Sequence, residues 1–356
     1  MSKKVSFGYV GCGFVAQKIH IPNFKGLERC DFKAIAEVRQ DLGRRVQQKY
    51  RIPKLYGSHL ELADDKEIEA VGVSGGFHAQ GEIARDLLEA GKHVFMEKPM
   101  AVSVVQAEKI LEASKKGGSR LMVAYMKRFD PGYELFKGAI EKYRVSGELG
   151  ELLYARNHGF CGDWLAGMQD TQVEGTDEPY PPSPPAPKPP WLPEKLYEKY
   201  VGYLQQYIHN VNFLRWVLGG EVEVKHADLD RDGYTGVVLM KVSGVRSCLE
   251  TASTSFHGWE EHTQCYFKNG WVRASSPPLM LANMPAEVEL YFGRGQRSYV
   301  KPVPEWGWSY KREAEHFVDC LLSGEEFRSP GEDAVRDIEA IEKIYKAHLK
   351  DVGVLG

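Results

Sequence analysis

Two glycines and an alanine open the chemical reading. Gly11-Cys12-Gly13-Phe14-Val15-Ala16 directly follows the apolar run SFGYV and precedes a helical pattern. In such a G-x-G-x-x-A, Gly11 permits a tight turn and Gly13 lets the backbone approach a pyrophosphate. Ala16 lets the helix pack close to a sheet with its N-terminus toward the phosphates. The fingerprint is weak alone. Its place between strand and helix makes a bound dinucleotide the better reading, with Phe14 and Val15 in the same turn. Glu37 ends the next apolar run, where a carboxylate would accept ribose hydroxyls and favour NAD. Arg39, two residues on, could pair with a 2′-phosphate, which keeps NADP open. Ser74 and Gly75, small residues after the third run, allow close cofactor approach, and His78 is a further candidate there.

Met96-Glu97-Lys98-Pro99 closes a fourth apolar run. Open parallel sheets bind ligands at the carboxyl ends of their strands, so a lysine held there by a proline can donate to a hydroxyl or carbonyl oxygen. Taken alone, Lys98 reads more often as a surface charge. His209 lies in a long helical pattern with Gln205 one turn earlier on the same face. A histidine can take or return a hydroxyl proton near neutral pH; its ordinary alternative is a structural role in a core. His257-Gly258-Trp259-Glu260-Glu261-His262 invites a metal reading. Its spacing fits no helical zinc motif, and along a strand its two histidines point to opposite faces, so no metal is expected.

The elements that must position these residues fall into two regions. Buried-strand runs at Val5–Val10, Phe32–Val38, Ala70–Ser74, His93–Met96 and Leu121–Tyr125 alternate with amphipathic stretches, Asp41–Tyr50, Gly81–Ala90 and Ser103–Lys115. A weakly signalled strand lies near Leu55–Tyr56. This alternation predicts right-handed βαβ units and a doubly wound parallel sheet over residues 1–125. Beyond it, a helix Pro131–Tyr143 and a strand in GELGELLYARNHG lead to a proline-rich loop, 178–194, expected as a surface segment inside the second domain. A long helix Tyr197–Leu218 follows. Strands at Glu221–Ala227, Thr235–Val242, Ser247–Thr254, Thr263–Phe267 and Glu287–Tyr291 predict an open, mostly antiparallel sheet. Helices Tyr310–Ser323 and Gly331–Leu349 close the second domain, 126–356, and can pack back near the first.

At 356 residues, two domains are the natural expectation. A net charge of −3 with no basic block argues against a nucleic-acid surface. The six cysteines form no C-x-x-C pair and read as reduced thiols of a cytoplasmic protein. The glycine-broken N-terminal run is not expected to be a signal peptide, and no apolar stretch is long enough for a membrane span.

Together these residues resemble the Gfo/Idh/MocA family of NAD(P)-dependent oxidoreductases. The resemblance rests on GYVGCGFVAQKIHIP, EAGKHVFMEKPMAVSVVQAEKI, YMKRFDP, SGELGELLYAR, the helix with His209 and SPGEDAVRDIEAIEKIYKA. It implies an α/β fold, a Rossmann domain followed by an α/β domain with a large, mostly antiparallel open sheet. It places Lys98 beside the nicotinamide and substrate, with Tyr125 and Arg128 bordering the active site. Many members carry Asp-x-x-x-His where this chain has Gln205 and His209, so the histidine is kept and the carboxylate is not. The implied activity is hydride transfer between NAD, or NADP, and a secondary alcohol or ketone of a sugar, sugar derivative or cyclitol. His209 would be the proton acceptor, and Lys98 would polarise the oxygen. A redox-neutral enzyme that oxidises a sugar only transiently, and a non-catalytic nucleotide sensor, are the alternatives. The resemblance also implies a homo-oligomer, dimer or tetramer, joined through the outer face of the second sheet.

Overall fold

The computed structural model describes residues 3–182 and 187–355. Residues 183–186 of the proline-rich stretch lie outside the described residues. The chain divides into two compact units. The first comprises Met1–Tyr125, Gln172–Leu192 and Tyr310–Ile338; the second comprises Met126–Thr171, Pro193–Ser309 and Glu339–Gly356.

The first unit is built on a six-stranded parallel sheet. Its strands are β1 (Val5–Val10), β2 (Cys30–Ala36), β3 (Lys54–Tyr56), β4 (Ala70–Val73), β5 (His93–Glu97) and β6 (Leu121–Ala124), in the order β3-β2-β1-β4-β5-β6. The order reverses between β1 and β4, which makes the carboxyl ends of those two strands the topological switch point. Five helices connect them: α1 (Ile21–Lys25), α2 (Gln40–Tyr50), α3 (His59–Asp64), α4 (Phe77–Glu89) and α5 (Val104–Gly117). α4 starts four residues earlier than its sequence pattern suggests, because Gly76 in extended conformation serves as its N-cap. The short α3, capped by the Ser58 hydroxyl on the Glu61 amide, carries no readable periodicity in six residues.

β1, β4 and β6 are buried on both faces, as strands covered by helices on each side must be. The helix α8 (Ser309–Ser323) packs its Phe317 ring within 5.6 Å of Phe95 and 6.1 Å of Phe24, between ring centroids. Truncating so buried an aromatic costs about 3–5 kcal/mol, so α8 from its second residue onward is structurally part of this unit.

The second unit is built on an eight-stranded sheet. Its strands are β7 (Leu152–Gly162), β8 (Val222–Leu229), β9 (Gly236–Val242), β10 (Val245–Thr251), β11 (Trp259–Phe267), β12 (Gly270–Ser276), β13 (Glu287–Phe292) and β14 (Ser298–Val300). They run in the order β14-β13-β12-β11-β7-β10-β9-β8, and only the β7–β10 pairing is parallel. β12 and β14 are absent from the sequence-based expectation: GWVRASS and SYV are too polar and short to stand out from turns. The helices are α6 (Pro131–Ser146), α7 (Tyr197–Leu218) and α9 (Gly331–Asp351), the last shared between the units. α6 starts on Pro131, and Asp130 caps it by accepting from Gly132 and Tyr133 amides at 2.8 and 3.1 Å. α7 buries Tyr200, Tyr203 and Tyr207. A Cβ on Gly202 of α7 would lie 1.6 Å from the Tyr234 hydroxyl, so a larger residue there would have to push the Tyr234 ring aside.

The described residues of the proline-rich segment up to Leu192 do not belong to the second unit, contrary to the sequence-based expectation. Gln172–Leu192 clusters with the first. Proline content forbade helix and central strand but said nothing about where the segment docks.

Candidate active site

In the first unit, register brings the expected nucleotide residues to one edge. Val10 pairs with Ala36 and Val73, Val73 with Met96, and Glu97 with Ala124. The residues that follow, Gly11, Glu37, Ser74, Lys98 and Tyr125, therefore share the carboxyl end of the sheet. Gly11 adopts φ +98°, and a Cβ there would lie 2.1 Å from the Ser74 carbonyl oxygen. A Cβ on Gly13 would meet nothing within 4 Å. One glycine is thus demanded by the turn, and the other leaves open room where a pyrophosphate would lie. Phe14 and Val15 are half-buried at the helix start, and Ala16 is buried. A π-helical turn, Ala16–His20, precedes α1.

Glu37 is almost fully buried and holds the nucleotide turn together. Its Oε2 accepts the Cys12 amide at 2.9 Å, and its Oε1 accepts the Arg39 amide and Nε, both at 3.0 Å. Gly75 is exposed, and His78 is half-buried on the first turn of α4.

The turn Glu97-Lys98-Pro99 is fixed on both sides of the lysine. Gln80, 1% exposed on α4, donates through Nε2 to the Glu97 and Pro99 carbonyl oxygens, the second at 2.9 Å. Its Oε1 accepts the Gly75 amide at 3.3 Å. The Glu97 carboxylate accepts the Lys98 amide at 3.1 Å and lies 2.7 Å from Nε2 of the buried His20. Burial alone would raise the Glu97 carboxyl. The His20 hydrogen bond and charge, the Lys98 ammonium and the Lys98 amide bring it below the usual carboxylate range instead. An ionised carboxylate only accepts, so His20 Nε2 carries the proton. Glu313, fully buried on α8, is held well above the usual range by burial and by the Glu97 charge, which favours its protonated form.

In the second unit, α7 carries Gln205 exposed and His209 half-buried, one turn apart. Arg128, 3% exposed, donates through Nε to Asn212 Oδ1 at 3.0 Å. A buried polar network fixes the neighbouring turn of α7. Asn210 donates to Glu261 Oε1 and Asn157 Oδ1, both at 2.8 Å. Asn157 donates to the Thr263 hydroxyl at 2.7 Å, and Lys127 pairs with Glu261. Glu261 lies in the stretch whose histidines suggested a metal; it is the carboxylate of an ion pair. Among the described residues no three His, Cys, Asp or Glu side chains are grouped to hold a metal ion. Beside the same helix face, Gln206, Tyr207, Tyr234, Phe160, Ser253 and Thr254 line a concave site.

Comparison with known proteins agrees with this architecture. The model of the Gfo/Idh/MocA oxidoreductase family, NAD-binding Rossmann fold, matches residues 5–125. An inositol 2-dehydrogenase of Salmonella typhimurium is 30% identical over 332 residues, which cover 89% of this chain and 86% of that one. The chain is a member of the Gfo/Idh/MocA family. A myo-inositol 2-dehydrogenase of Thermotoga maritima is 25% identical over 92% of this chain and 91% of its own. Among solved structures, a 3-ketoreductase from Actinomadura kijaniata in complex with NADP and TDP-benzene superposes with a TM-score of 0.74. It is 19% identical, and 97% of this chain and 98% of that chain are covered. An aldose-aldose oxidoreductase from Caulobacter crescentus gives 0.72 at 20% identity, with 98% of both chains covered. At such identities the structural likeness speaks for the fold.

This Gfo/Idh/MocA member presents residues that fit a nicotinamide dinucleotide: the open Gly13, the Glu37 carboxylate and the helix that starts beside them. Other residues that sequence reading missed hold these turns and helices in place. Gln80 lay unremarked in GGFHAQ, and His20 in KIHIP; each gains meaning only through a partner brought near by the sheet. Lys127 and Asn210 flank Arg128 and His209 in sequence without a signal of their own.

Proposed function

We propose that this oxidoreductase transfers a hydride between NAD and a secondary alcohol or ketone of a cyclitol, sugar or sugar derivative. The observation that carries the reading is the fixed Lys98. It follows the strand that pairs beside the switch point, and hydrogen bonds from Gln80 and to Glu97 hold the backbone around it. Nicotinamide dinucleotide, when bound, supplies the two-electron hydride acceptor or donor. Lys98 acts as a donor to the reacting oxygen, stabilising negative charge as it develops. Its ammonium has to stay where the turn sets it, because misplacement by about 1 Å costs on the order of 100-fold in rate. His209 exchanges the hydroxyl proton in this reading. Gln205 can hydrogen-bond a substrate but, being a neutral amide, does not stabilise an imidazolium by charge as an aspartate would. Tyr125, Arg128 and Gln205 are assigned to substrate. Ser74, Gly75 and His78 are assigned to cofactor, as are Glu97 and Arg39 through their hold on the two turns. The dehydrogenase names of the relatives support cyclitols and sugars as the class, and the aromatic and hydroxyl lining near Tyr207 and Tyr234 suits a polyol ring.

The test is a panel of cyclitols and sugars with NAD and NADP, read by nicotinamide absorbance, on wild type and Lys98→Ala. Turnover should fall by orders of magnitude in the variant while NADH still binds. Near-normal turnover in Lys98→Ala refutes the assignment.

We further place the protein in the cytoplasm as a homo-oligomer. All six cysteines are free and buried, which suits a reducing compartment. Among the described residues no helix is long and apolar enough to cross a membrane. Leu153, Val237 and Leu239 are exposed on strands of the second sheet, an apolar face that a second copy would cover. Sedimentation analysis of wild type against Leu239→Lys checks the assembly.

A further inference from the structure

Segment 174–180, at the start of the proline-rich stretch, packs against Gln17, Arg39 and the start of α2. Glu174 exchanges two backbone hydrogen bonds with the Gln17 amide side chain, at 2.8 and 2.9 Å. Gln17 in turn donates to the Cys12 carbonyl oxygen at 2.8 Å. Arg45 donates to the Gly175 carbonyl oxygen at 3.3 Å. Glu178 Oε2 accepts the Asp41 amide, in the first turn of α2, at 2.7 Å. The Tyr180 ring lies over the Arg39 guanidinium, 3.8 Å from its centroid.

These contacts answer a question that Glu37 and Arg39 leave open in the sequence. An anion such as a ribose 2′-phosphate needs donors at the end of β2: a free guanidinium and the amides of the α2 N-terminus. Here the Arg39 fork is engaged by Glu37, with Nε to Oε1 at 3.0 Å and Nη2 to Oε2 at 3.4 Å. The Arg39 side chain is 13% exposed, and Tyr180 covers one of its faces. The α2 amide of Asp41 already has an anion, the carboxylate of Glu178. Two more cations of this face have acidic partners as well: Arg45 meets Asp41 at 2.8 Å and Lys49 meets Glu174 at 3.6 Å. A 2′-phosphate seeking the Asp41 amide would have to compete with the Glu178 carboxylate that already accepts it. A 2′-hydroxyl would only donate to Glu37.

We propose that Glu178 and Tyr180 are specificity-determining residues that select NAD over NADP, Glu178 by holding the anion position at the α2 N-terminus and Tyr180 by pinning Arg39 against Glu37. The inference rests on the dinucleotide reading above. Selectivity of this kind is a difference between two affinities, set by an element that repels the wrong ligand.

The test is fluorescence titration of NADH and NADPH into the full chain: wild type, Glu178→Ala, Glu178→Gln and Tyr180→Ala. Wild type should bind NADH at least about tenfold more tightly than NADPH. Glu178→Ala should narrow that ratio by about tenfold to a hundredfold, the range of one charge-assisted hydrogen bond gained and one repulsion lost. Glu178→Gln keeps an acceptor for the Asp41 amide and removes the charge, so it should give part of the change even if the alanine variant is poorly folded. Tyr180→Ala should narrow the ratio too, by releasing Arg39. A ratio within about twofold of wild type in the folded Glu178→Gln and Tyr180→Ala variants overturns the inference, as does a wild type that prefers NADPH. Binding of neither nucleotide by wild type overturns the dinucleotide reading itself.

Discussion

Replacing Gln80 by leucine tests whether the lysine turn is held as described. Leucine has nearly the volume of glutamine, so packing around the buried side chain is kept while three hydrogen bonds are lost. The Glu97 and Pro99 carbonyl oxygens each lose a donor. A buried group left so costs about 1–3 kcal/mol, offset in part by the better transfer of leucine from water, for a net loss of about 2–4 kcal/mol. For a domain of this size that lowers the melting temperature by roughly 5–15 °C. The two released carbonyls flank Lys98, so turnover should also fall, by about 100-fold if the ammonium shifts by about 1 Å. Binding of NADH should change far less, because Gly11, Gly13 and Glu37 are untouched. Thermal unfolding, steady-state kinetics and NADH titration on the same preparation separate these effects. A variant that melts within about 1 °C of wild type and turns over within about twofold would refute the reasoning. Equal losses in turnover and NADH affinity would show that Gln80 supports the whole edge of the sheet and not the lysine turn.

Three other outcomes follow from particular residues. Gly11→Ala and Gly13→Ala should separate fold from ligand: the first is strained and meets the Ser74 carbonyl, so it lowers both stability and NADH binding, while the second meets no protein atom and lowers NADH binding alone; paired melts and titrations check this. Glu313 keeps a proton in the folded state that the unfolded chain gives up above the usual carboxyl range. Its contribution therefore becomes more unfavourable as pH rises through and beyond that range, by about 1.4 kcal/mol per pH unit until Glu313 itself ionises. Glu313→Gln should remove that slope in denaturant melts taken upward from the ordinary carboxyl range, and an unaltered slope would show that Glu313 is not held above that range. His262 is pushed down to about 4, chiefly by burial and then by the Arg273 and His158 charges. The unfolded ring is protonated first as pH falls below about 6.5, so stability is lost from there down to about pH 4. His262→Gln should flatten this acid limb by no more than about 1–2 kcal/mol, since the ring is partly solvated; an unchanged limb assigns acid sensitivity elsewhere.

Much of the fold was legible in the residues. Buried parallel strands announce themselves as apolar runs, and β1 and α7 occupy the expected residues to the position. Their ends drift elsewhere by a few residues because caps and extended glycines, as at Gly76, set the boundaries rather than hydrophobic period. β12 and β14 carry too little apolar alternation to be seen and exist because β11 and β13 offer them partners.

The sequence by itself determined the chemistry available to this protein: a glycine turn for a pyrophosphate, a carboxylate at the end of β2, and a lysine at the end of β5. Those features are local, since each depends on a residue type at a set distance from the end of a strand. Tertiary structure decided what holds and surrounds them. Gln80 reaches carbonyls 17 and 19 residues away. Glu178 caps a helix 137 residues before it, and Glu174 meets Gln17 across 157 residues. Contacts at such separations leave no period or spacing in the chain. A proline-rich stretch is read as rigid and exposed, but the surface it lies on is chosen by complementary charges and amides that come together only once the sheet has formed.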